Sequence, residues 1–114
     1  MEKKIEKLHN MGCDTTEALK RMADDEEFYM ECLQEVLDHP GFDGLNKALK
    51  EKDVEAAFDY AHALKGLLGN VGLTPMYQLA AEIVEPLRAG SCDHLTKKFK
   101  ALLEMRKQYQ KILF

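Results

Sequence analysis

The sequence predicts an all-α protein, an antiparallel up-down four-helix bundle with an additional short N-terminal helix or arm. Apolar residues recur at helical spacing in four substantial segments joined by short loops. No stretch alternates with a period of two, and no two-residue hairpin turn separates β-branched runs. With 46% hydrophobic and 32% charged residues, the composition is that of a globular protein. We therefore expect an arm at residues 1–11 and one bundle domain at residues 12–114.

The N-terminal part of the chain contains short helical segments. Residues 2–10 carry a weak apolar stripe, which predicts a short docked helix or a mobile arm. A second short helix is expected to begin at Asp14 or Thr15. Four consecutive acids at residues 24–27 suit the positive end of a helix dipole, so they predict the start of the next helix. The run His39-Pro40-Gly41 should interrupt that helix.

The clearest amphipathic segment runs from Asp53 to Leu73 and follows a further helical segment at residues 42–52. Asp53 is a good N-cap for this central helix, and Gly72 is a suitable C-terminal glycine. Its apolar stripe consists of Val54, Ala57, Phe58, Ala61, Leu64, Leu68 and Val71. His62 lies about 120° from the centre of that stripe, so we expect its imidazole to point toward solvent.

Two more helices complete the predicted bundle. The pair Thr74-Pro75 combines a capping hydroxyl with a proline at the first helical position, which predicts a helix start. Pro86 lies late in this helix and should kink its last turn or end it early. Gly90 should end the segment, and Ser91 or Asp93 is expected to cap the last helix.

Charge and hydropathy exclude several classes of partner. The formal net charge is −4 and no long basic run is present, so nucleic acid is not expected as a partner. No apolar run is long enough to span a membrane. The N-terminus lacks the apolar core of a signal peptide, so we expect a cytoplasmic protein. We also expect a monomer.

Three cysteines are present, Cys13, Cys32 and Cys92. They are widely separated and form no CxxC pair, which indicates free thiols, with Cys32 in the core. A zinc site could be imagined from Cys13, Cys92, His9, His39 and His94. Of these, only the Cys92-x-His94 pair approaches the short fixed spacing typical of zinc ligands, so no metal site is expected.

Two glycines lie in the middle of the central helix, where each costs about 1 kcal/mol relative to alanine. Gly66 and Gly69 share the face of His62 with Lys65. We interpret them as clearing space around an imidazole that a partner must reach. A phosphate-binding loop at Gly66, Gly69 and Gly72 is excluded because this run lies inside a helix with no strand before it.

His62 and Lys65 are the remaining candidates for chemistry. An exposed imidazole titrates near neutrality, so a neutral, nucleophilic form is available at pH 7. A lysine one turn later lies close enough to offset the charge of a phosphoryl group on the ring. The pair therefore suits a histidine that accepts and passes on a phosphoryl group.

The segment His62-Ala63-Leu64-Lys65-Gly66, followed by Gly72-Leu73, resembles the HxLKG…G signature of histidine-containing phosphotransfer (HPt) domains. The resemblance runs in order from about residue 12 to about residue 110. It implies phosphorylation of His62, usually on Nε2, by a receiver-domain phosphoaspartate, and transfer to another receiver aspartate. Lys65 would then steady the phosphoryl group, and Gly72 would close the helix end. Gly66, Gly69 and Gly72 are expected to provide clearance for docking.

The same resemblance implies a phosphocarrier and not an enzyme with its own turnover. The expected partners are response-regulator receiver domains and a hybrid sensor kinase. No cofactor is expected on this chain, because the receiver domain would supply Mg²⁺. The candidates for the rim of the docking surface are Asp59, Leu67, Val84 and Glu85.

The sequence departs from the family pattern at Val84. Many family members have a glutamine or another polar residue there, which hydrogen-bonds the imidazole. Glu82, Glu85 or a water molecule are the alternatives for orienting the ring here. The alternative function is a helical adaptor that docks receiver or kinase domains without carrying phosphate, and such a protein would not need a histidine at position 62.

Overall fold

The computed structural model describes the backbone of residues 2–114 and the side chains of residues 4–114. This part of the chain contains seven α-helices and no β-strand, which confirms the predicted all-α class. Met1, the first residue of the predicted arm, lies outside the described residues. The helices are α1 (Glu2–Asn10), α2 (Thr15–Arg21), α3 (Glu26–Leu37), α4 (Gly41–Lys50), α5 (Val54–Asn70), α6 (Thr74–Arg88) and α7 (Thr96–Leu113).

The N-terminal segment is a docked helix. Leu8 of α1 is completely buried in the hydrophobic core. Nearer the start of α1, the Lys4 ammonium donates a hydrogen bond of 2.6 Å to the carbonyl oxygen of Leu113. These contacts join the two ends of the chain and decide between the two predictions for residues 2–10.

Aspartate side chains begin three of the helices. The carboxylate of Asp14 accepts a hydrogen bond from a backbone N–H in the first turn of α2, and Asp25 does so for α3. Asp53 accepts the corresponding bond of 3.1 Å from Ala56 N in α5. Each bond satisfies one of the N–H groups that a helix start leaves without an intrahelical partner. The predicted interruption at residues 39–41 is also present, because α3 ends at Leu37 and α4 begins at Gly41.

Gly72 ends α5 in a Schellman motif. Its N–H donates to the Gly69 carbonyl at 3.1 Å, and the Leu73 N–H donates to the Leu68 carbonyl at 3.1 Å. Gly72 has φ +74°, the left-handed conformation that this motif requires and that glycine adopts without strain. The chain can therefore reverse within a few residues and enter α6.

Side-chain contacts show that α5 and α6 run antiparallel. The Arg88 guanidinium carbon, at the end of α6, lies 5.2 Å from the ring centroid of Phe58 near the start of α5. Tyr77, near the start of α6, lies beside Lys65 and Gly69 in the second half of α5. This pairing sets which residues of α6 lie beside His62.

Helix α7 packs against the junction between α3 and α4. The Arg106 side chain donates a hydrogen bond of 2.5 Å to the Leu37 carbonyl, and its guanidinium carbon lies 4.6 Å from the Phe42 ring centroid. Gln110, one turn later, donates to the Asp38 carboxylate at 3.1 Å. These contacts hold the junction between α3 and α4 against α7. The complete up-down order of a four-helix bundle stays a prediction.

Two predicted caps are wrong. The N-cap of α7 is Leu95, and no side chain among residues 4–114 makes a capping hydrogen bond to this helix. Instead, the Ser91 hydroxyl accepts a hydrogen bond of 3.2 Å from Asp93 N within the preceding loop. At the start of α6, Thr74 is already the first helical residue, and its hydroxyl accepts from Asp14 N at 3.1 Å. The Ser91 and Thr74 hydroxyls therefore accept hydrogen bonds from backbone N–H groups of Asp93 and Asp14, and neither caps the helix for which it was predicted.

The cysteines differ from the prediction in their burial. Cys32 is only half-buried, whereas Cys13 is buried, and its thiol donates to the Tyr109 hydroxyl oxygen at 3.6 Å. Cys13 precedes α2, where the loop lies against α7, so its burial depends on tertiary packing.

Helix α6 includes Pro86 and ends at Arg88, within one turn of the proline. None of the described helices combines the length and apolar character needed to cross a membrane.

Candidate functional site

His62 lies near the middle of α5 with its side chain exposed, as predicted. The helix buries one narrow face, made by Ala57, Ala61, Leu64 and Leu68. Because His62 is one residue after Ala61 and two before Leu64, helical geometry turns it away from that face. The hydrophobic pattern of α5 therefore presents the imidazole to solvent.

The imidazole of His62 stacks on the ring of Phe58, one turn earlier on α5. The ring centroids are 5.5 Å apart and the ring planes differ by 18°. Phe58 is half-buried and packs against the core, and the Arg88 guanidinium lies over the same phenyl ring. Phe58 thus links the exposed histidine to a cationic side chain of α6.

Lys65 lies one turn after His62, and its ammonium is directed to an aromatic ring of α6. Its Nζ is 5.8 Å from the centroid of Tyr77, within the range of a cation–π contact. Lys65 is half-buried, and the tyrosine is exposed at the surface. Lys65 therefore lies one turn from His62, as the sequence predicts, and its ammonium contacts the Tyr77 ring.

The three glycines assigned to docking clearance occupy different surroundings. A Cβ atom built on Gly66 would meet nothing within 4 Å in the described part of the chain, so this position is open. A Cβ on Gly69 would lie 2.9 Å from the Tyr77 ring, so Gly69 makes room for a side chain of the same molecule. Gly72 is buried beneath the backbone of Asp14, and the assignment of Gly72 to clearance for a partner is therefore wrong.

The predicted rim residues do not all lie at the surface. Asp59 and Glu85 are exposed, and Leu67 is half-buried against the core. Val84 is completely buried, so its assignment to the docking rim is wrong. It belongs to the core-facing stripe of α6, together with Ala80, Ile83 and Leu87. A side chain on that stripe cannot line a surface.

The two acids proposed as alternatives for orienting His62 have other partners. Glu82 forms an ion pair of 3.6 Å with Lys98 of α7, and Glu85 forms one of 3.7 Å with Arg88. Within the part of the chain that the structure describes, no hydrogen bond involves the His62 ring. The imidazole instead stacks on the phenyl ring of Phe58.

Sequence reasoning placed Phe58 in the core stripe and did not assign it to the site. Its spacing of four residues from His62 was the available signal, since side chains at that spacing are neighbours on a helix. Arg88 and Tyr77 were also missed. Their contacts depend on how α6 lies along α5, for which the sequence carried no comparable signal.

The arrangement can support a nucleophilic imidazole with cations nearby. The ring is accessible at the surface, one side of the helix beside it is open at Gly66, and Lys65 lies one turn away. In the described residues, no group of three or more His, Cys, Asp or Glu side chains is placed to hold a metal ion.

A family model of the Hpt domain matches residues 27–111, which is well over half of the chain. The chain belongs to the Hpt domain family. Members of this family are phosphocarriers in His–Asp phosphorelays and not classical enzymes, and they interact with receiver domains and kinases. Searches of the curated proteins and of the solved structures found no match.

The matched part of this Hpt domain runs from the first turn of α3 into the last turn of α7. It therefore includes His62, Lys65 and their neighbours on α6. The resemblance expected from residue 12 is confirmed from residue 27 onward. Helices α1 and α2 lie before the matched range, and the boundary at residue 12 stays a prediction.

Proposed function

We propose that His62 is the phosphoryl acceptor of this Hpt domain. The observation that carries the proposal is its exposed imidazole in the middle of α5, inside the matched range and one turn from the open position at Gly66. In the forward step, the Nε2 lone pair attacks the phosphorus of a receiver phosphoaspartate. The bond between phosphorus and the aspartate oxygen breaks, and the carboxylate leaves. Transfer to a second receiver aspartate reverses these bond changes.

Lys65 would support the phosphorylated state. A phosphoryl group on Nε2 adds negative charge beside the helix, and an ammonium group one turn away can donate to its oxygens. The side chain has four rotatable bonds, so it can exchange its contact with Tyr77 for one with the phosphoryl group. The cation–π contact would then keep Lys65 at the site before the phosphoryl group arrives.

The proposed partners are response-regulator receiver domains and a hybrid sensor kinase. The docking surface would be centred on His62, with Gly66 allowing close approach and with Asp59, Leu67 and Glu85 toward its rim. We expect the receiver domain to supply Mg²⁺. We further propose that the protein is a cytoplasmic monomer, in which α3 and α4 together form one member of an up-down four-helix bundle with α5, α6 and α7.

Incubation with a phosphorylated receiver domain tests this function. The chain should acquire a label that is lost in acid and kept in alkali, as expected of a phosphohistidine. A second, unphosphorylated receiver should then remove the label. An adaptor without chemistry would bind the receiver and remain unlabelled, and that result would contradict the proposal.

A further inference from the structure

We propose that Phe58 is a positioning residue that orients the His62 imidazole, and that Arg88 of α6 holds Phe58 in place. This inference deepens the proposed function and rests on His62 being the phosphoryl acceptor. Its basis is a continuous set of contacts, from Arg88 to the phenyl ring and from the phenyl ring to the imidazole. Neither residue would touch the phosphoryl group in this role.

The stacking geometry restricts how the imidazole can turn. A separation of 5.5 Å with an angle of 18° between the planes is an offset, nearly parallel arrangement, which is a favoured geometry for aromatic pairs. Rotation of the imidazole about χ2 would tilt it out of this arrangement. The stack covers part of one ring face, while both nitrogens lie at the ring edge. It can therefore fix the ring plane without blocking Nε2.

Phe58 itself is held from two sides. Its inner part packs against the hydrophobic core, and the guanidinium carbon of Arg88 lies 5.2 Å from its centroid. Arg88 is in turn paired with Glu85 on the same helix, at 3.7 Å. Helix α6 therefore limits the movement of a side chain on α5 that contacts the histidine.

Among the described residues, no polar side chain hydrogen-bonds the imidazole, which leaves the Phe58 stack as the contact that can orient it. Val84, at the position where many family members have a polar residue, is completely buried. Glu82 and Glu85 are engaged with Lys98 and Arg88. An in-line attack requires the Nε2 lone pair to point at phosphorus, so a fixed ring plane raises the fraction of productive encounters.

The experiment compares Phe58→Leu, which removes the aromatic ring, with Phe58→Tyr, which keeps it. Tyr60→Leu is the matched control, because it removes a ring from the same helix at a residue that lies against Gly44 of α4. Arg88→Gln tests the contact from α6 without altering Phe58. For each variant, the NMR signals of the His62 ring are recorded in the unphosphorylated protein, and the rate of phosphoryl transfer from a receiver domain is measured.

We expect Phe58→Leu to shift the His62 ring protons downfield, because they lose the ring current of the phenyl group. Transfer should slow by about three- to tenfold, as expected for the loss of one aromatic pair. Phe58→Tyr should retain both properties, and Arg88→Gln should have an intermediate effect. Tyr60→Leu should leave the His62 signals in place.

Unchanged His62 signals in Phe58→Leu would overturn the proposal, and so would an equal loss of rate in Phe58→Leu and Phe58→Tyr. Thermal unfolding of each variant shows whether a slower phosphoryl transfer results from loss of the folded state. If the wild-type protein accepts no phosphoryl group, the proposed function fails. The NMR comparison would still decide whether the imidazole stacks on Phe58, the contact from which the positioning role is argued.

Discussion

The ring of Tyr77 lies over Gly69, so that a Cβ atom at this glycine would come within 2.9 Å of the ring. The same ring contacts the ammonium of Lys65, at 5.8 Å from Nζ to the centroid. The absence of a side chain at Gly69 thus allows α6 to bring an aromatic residue to the lysine beside His62. Among the described residues, in contrast, Gly66 has no neighbour within 4 Å of a built Cβ that would explain the glycine.

This difference predicts that the same substitution has different effects on stability at these two glycines, which lie one turn apart. Gly66→Ala should raise the free energy of unfolding by up to about 1 kcal/mol, because alanine favours the helix and meets no obstacle. Gly69→Ala should give no such gain, because the Tyr77 ring must move. When combined with Tyr77→Ala, it should become stabilising. Urea unfolding of the single and double variants measures these effects, and an equal gain at both glycines in the wild-type background would contradict the explanation.

Gly72 should tolerate substitution less than any exposed glycine of similar backbone conformation. Gly72 and Gly90 both have positive φ, +74° and +91°, but only Gly72 would direct a Cβ against the backbone of Asp14. Gly90→Ala should therefore cost about 1–2 kcal/mol from strain alone. Gly72→Ala should cost clearly more, since neighbouring backbone must also shift. Denaturant unfolding compares the two variants, and equal losses would show that the Asp14 contact is unimportant.

Lys65 should affect the phosphorylated state more than the fold. Lys65→Ala should still accept phosphate, but about three- to tenfold more slowly or with a shorter-lived product, because one cation near the phosphoryl group is lost. Lys50→Ala, at an exposed lysine near the end of α4, is the control. Time courses of labelling and of loss of label measure both effects. Wild-type behaviour of Lys65→Ala would remove the lysine from the mechanism.

The Cys13–Tyr109 contact predicts how stability depends on pH in the alkaline range. Burial raises the pKa of the Cys13 thiol above its ordinary value of 9.0, and burial also raises the pKa of Tyr109 above 10.0. The unfolded chain therefore loses these protons at a lower pH than the folded chain does. Stability should be constant with respect to these groups below about pH 8 and should fall as the pH rises beyond 9.

Denaturant unfolding between pH 7 and pH 10.5 measures this dependence. The paired variants Cys13→Ala and Tyr109→Phe remove the titrating groups and keep most of the packing, so they should flatten the alkaline decrease. Burial also raises the pKa of Tyr29, so part of the alkaline decrease should remain in the double variant. A decrease that is as steep in the double variant as in the wild type would place its origin in other groups.

The local features of the fold could be predicted from the sequence because they depend on neighbouring residues. Helical periodicity located α5 and the exposure of His62, and the capping chemistry of Asp53 and Gly72 marked the two ends of that helix. The cap of α7 could not be found in this way. Ser91 has a capping side chain, but its hydroxyl accepts from Asp93 within the loop.

The part of the site that was missed depends on contacts between helices. Phe58 and Arg88, like Lys65 and Tyr77, meet only because α5 and α6 run antiparallel in one particular register. Val84 was misplaced for a related reason, since its burial depends on the width of the α6 face that packs inward.

The most direct test of the account is to locate the phosphoryl group after transfer from a phosphorylated receiver domain. Mass spectrometry under alkaline conditions should find it on the peptide that contains His62, and His62→Gln should acquire no label while keeping the wild-type fold by circular dichroism. His94→Gln, which alters an exposed histidine outside α5, should be labelled at the wild-type rate. Label that persists in His62→Gln would contradict the assignment of His62 as the phosphoryl acceptor.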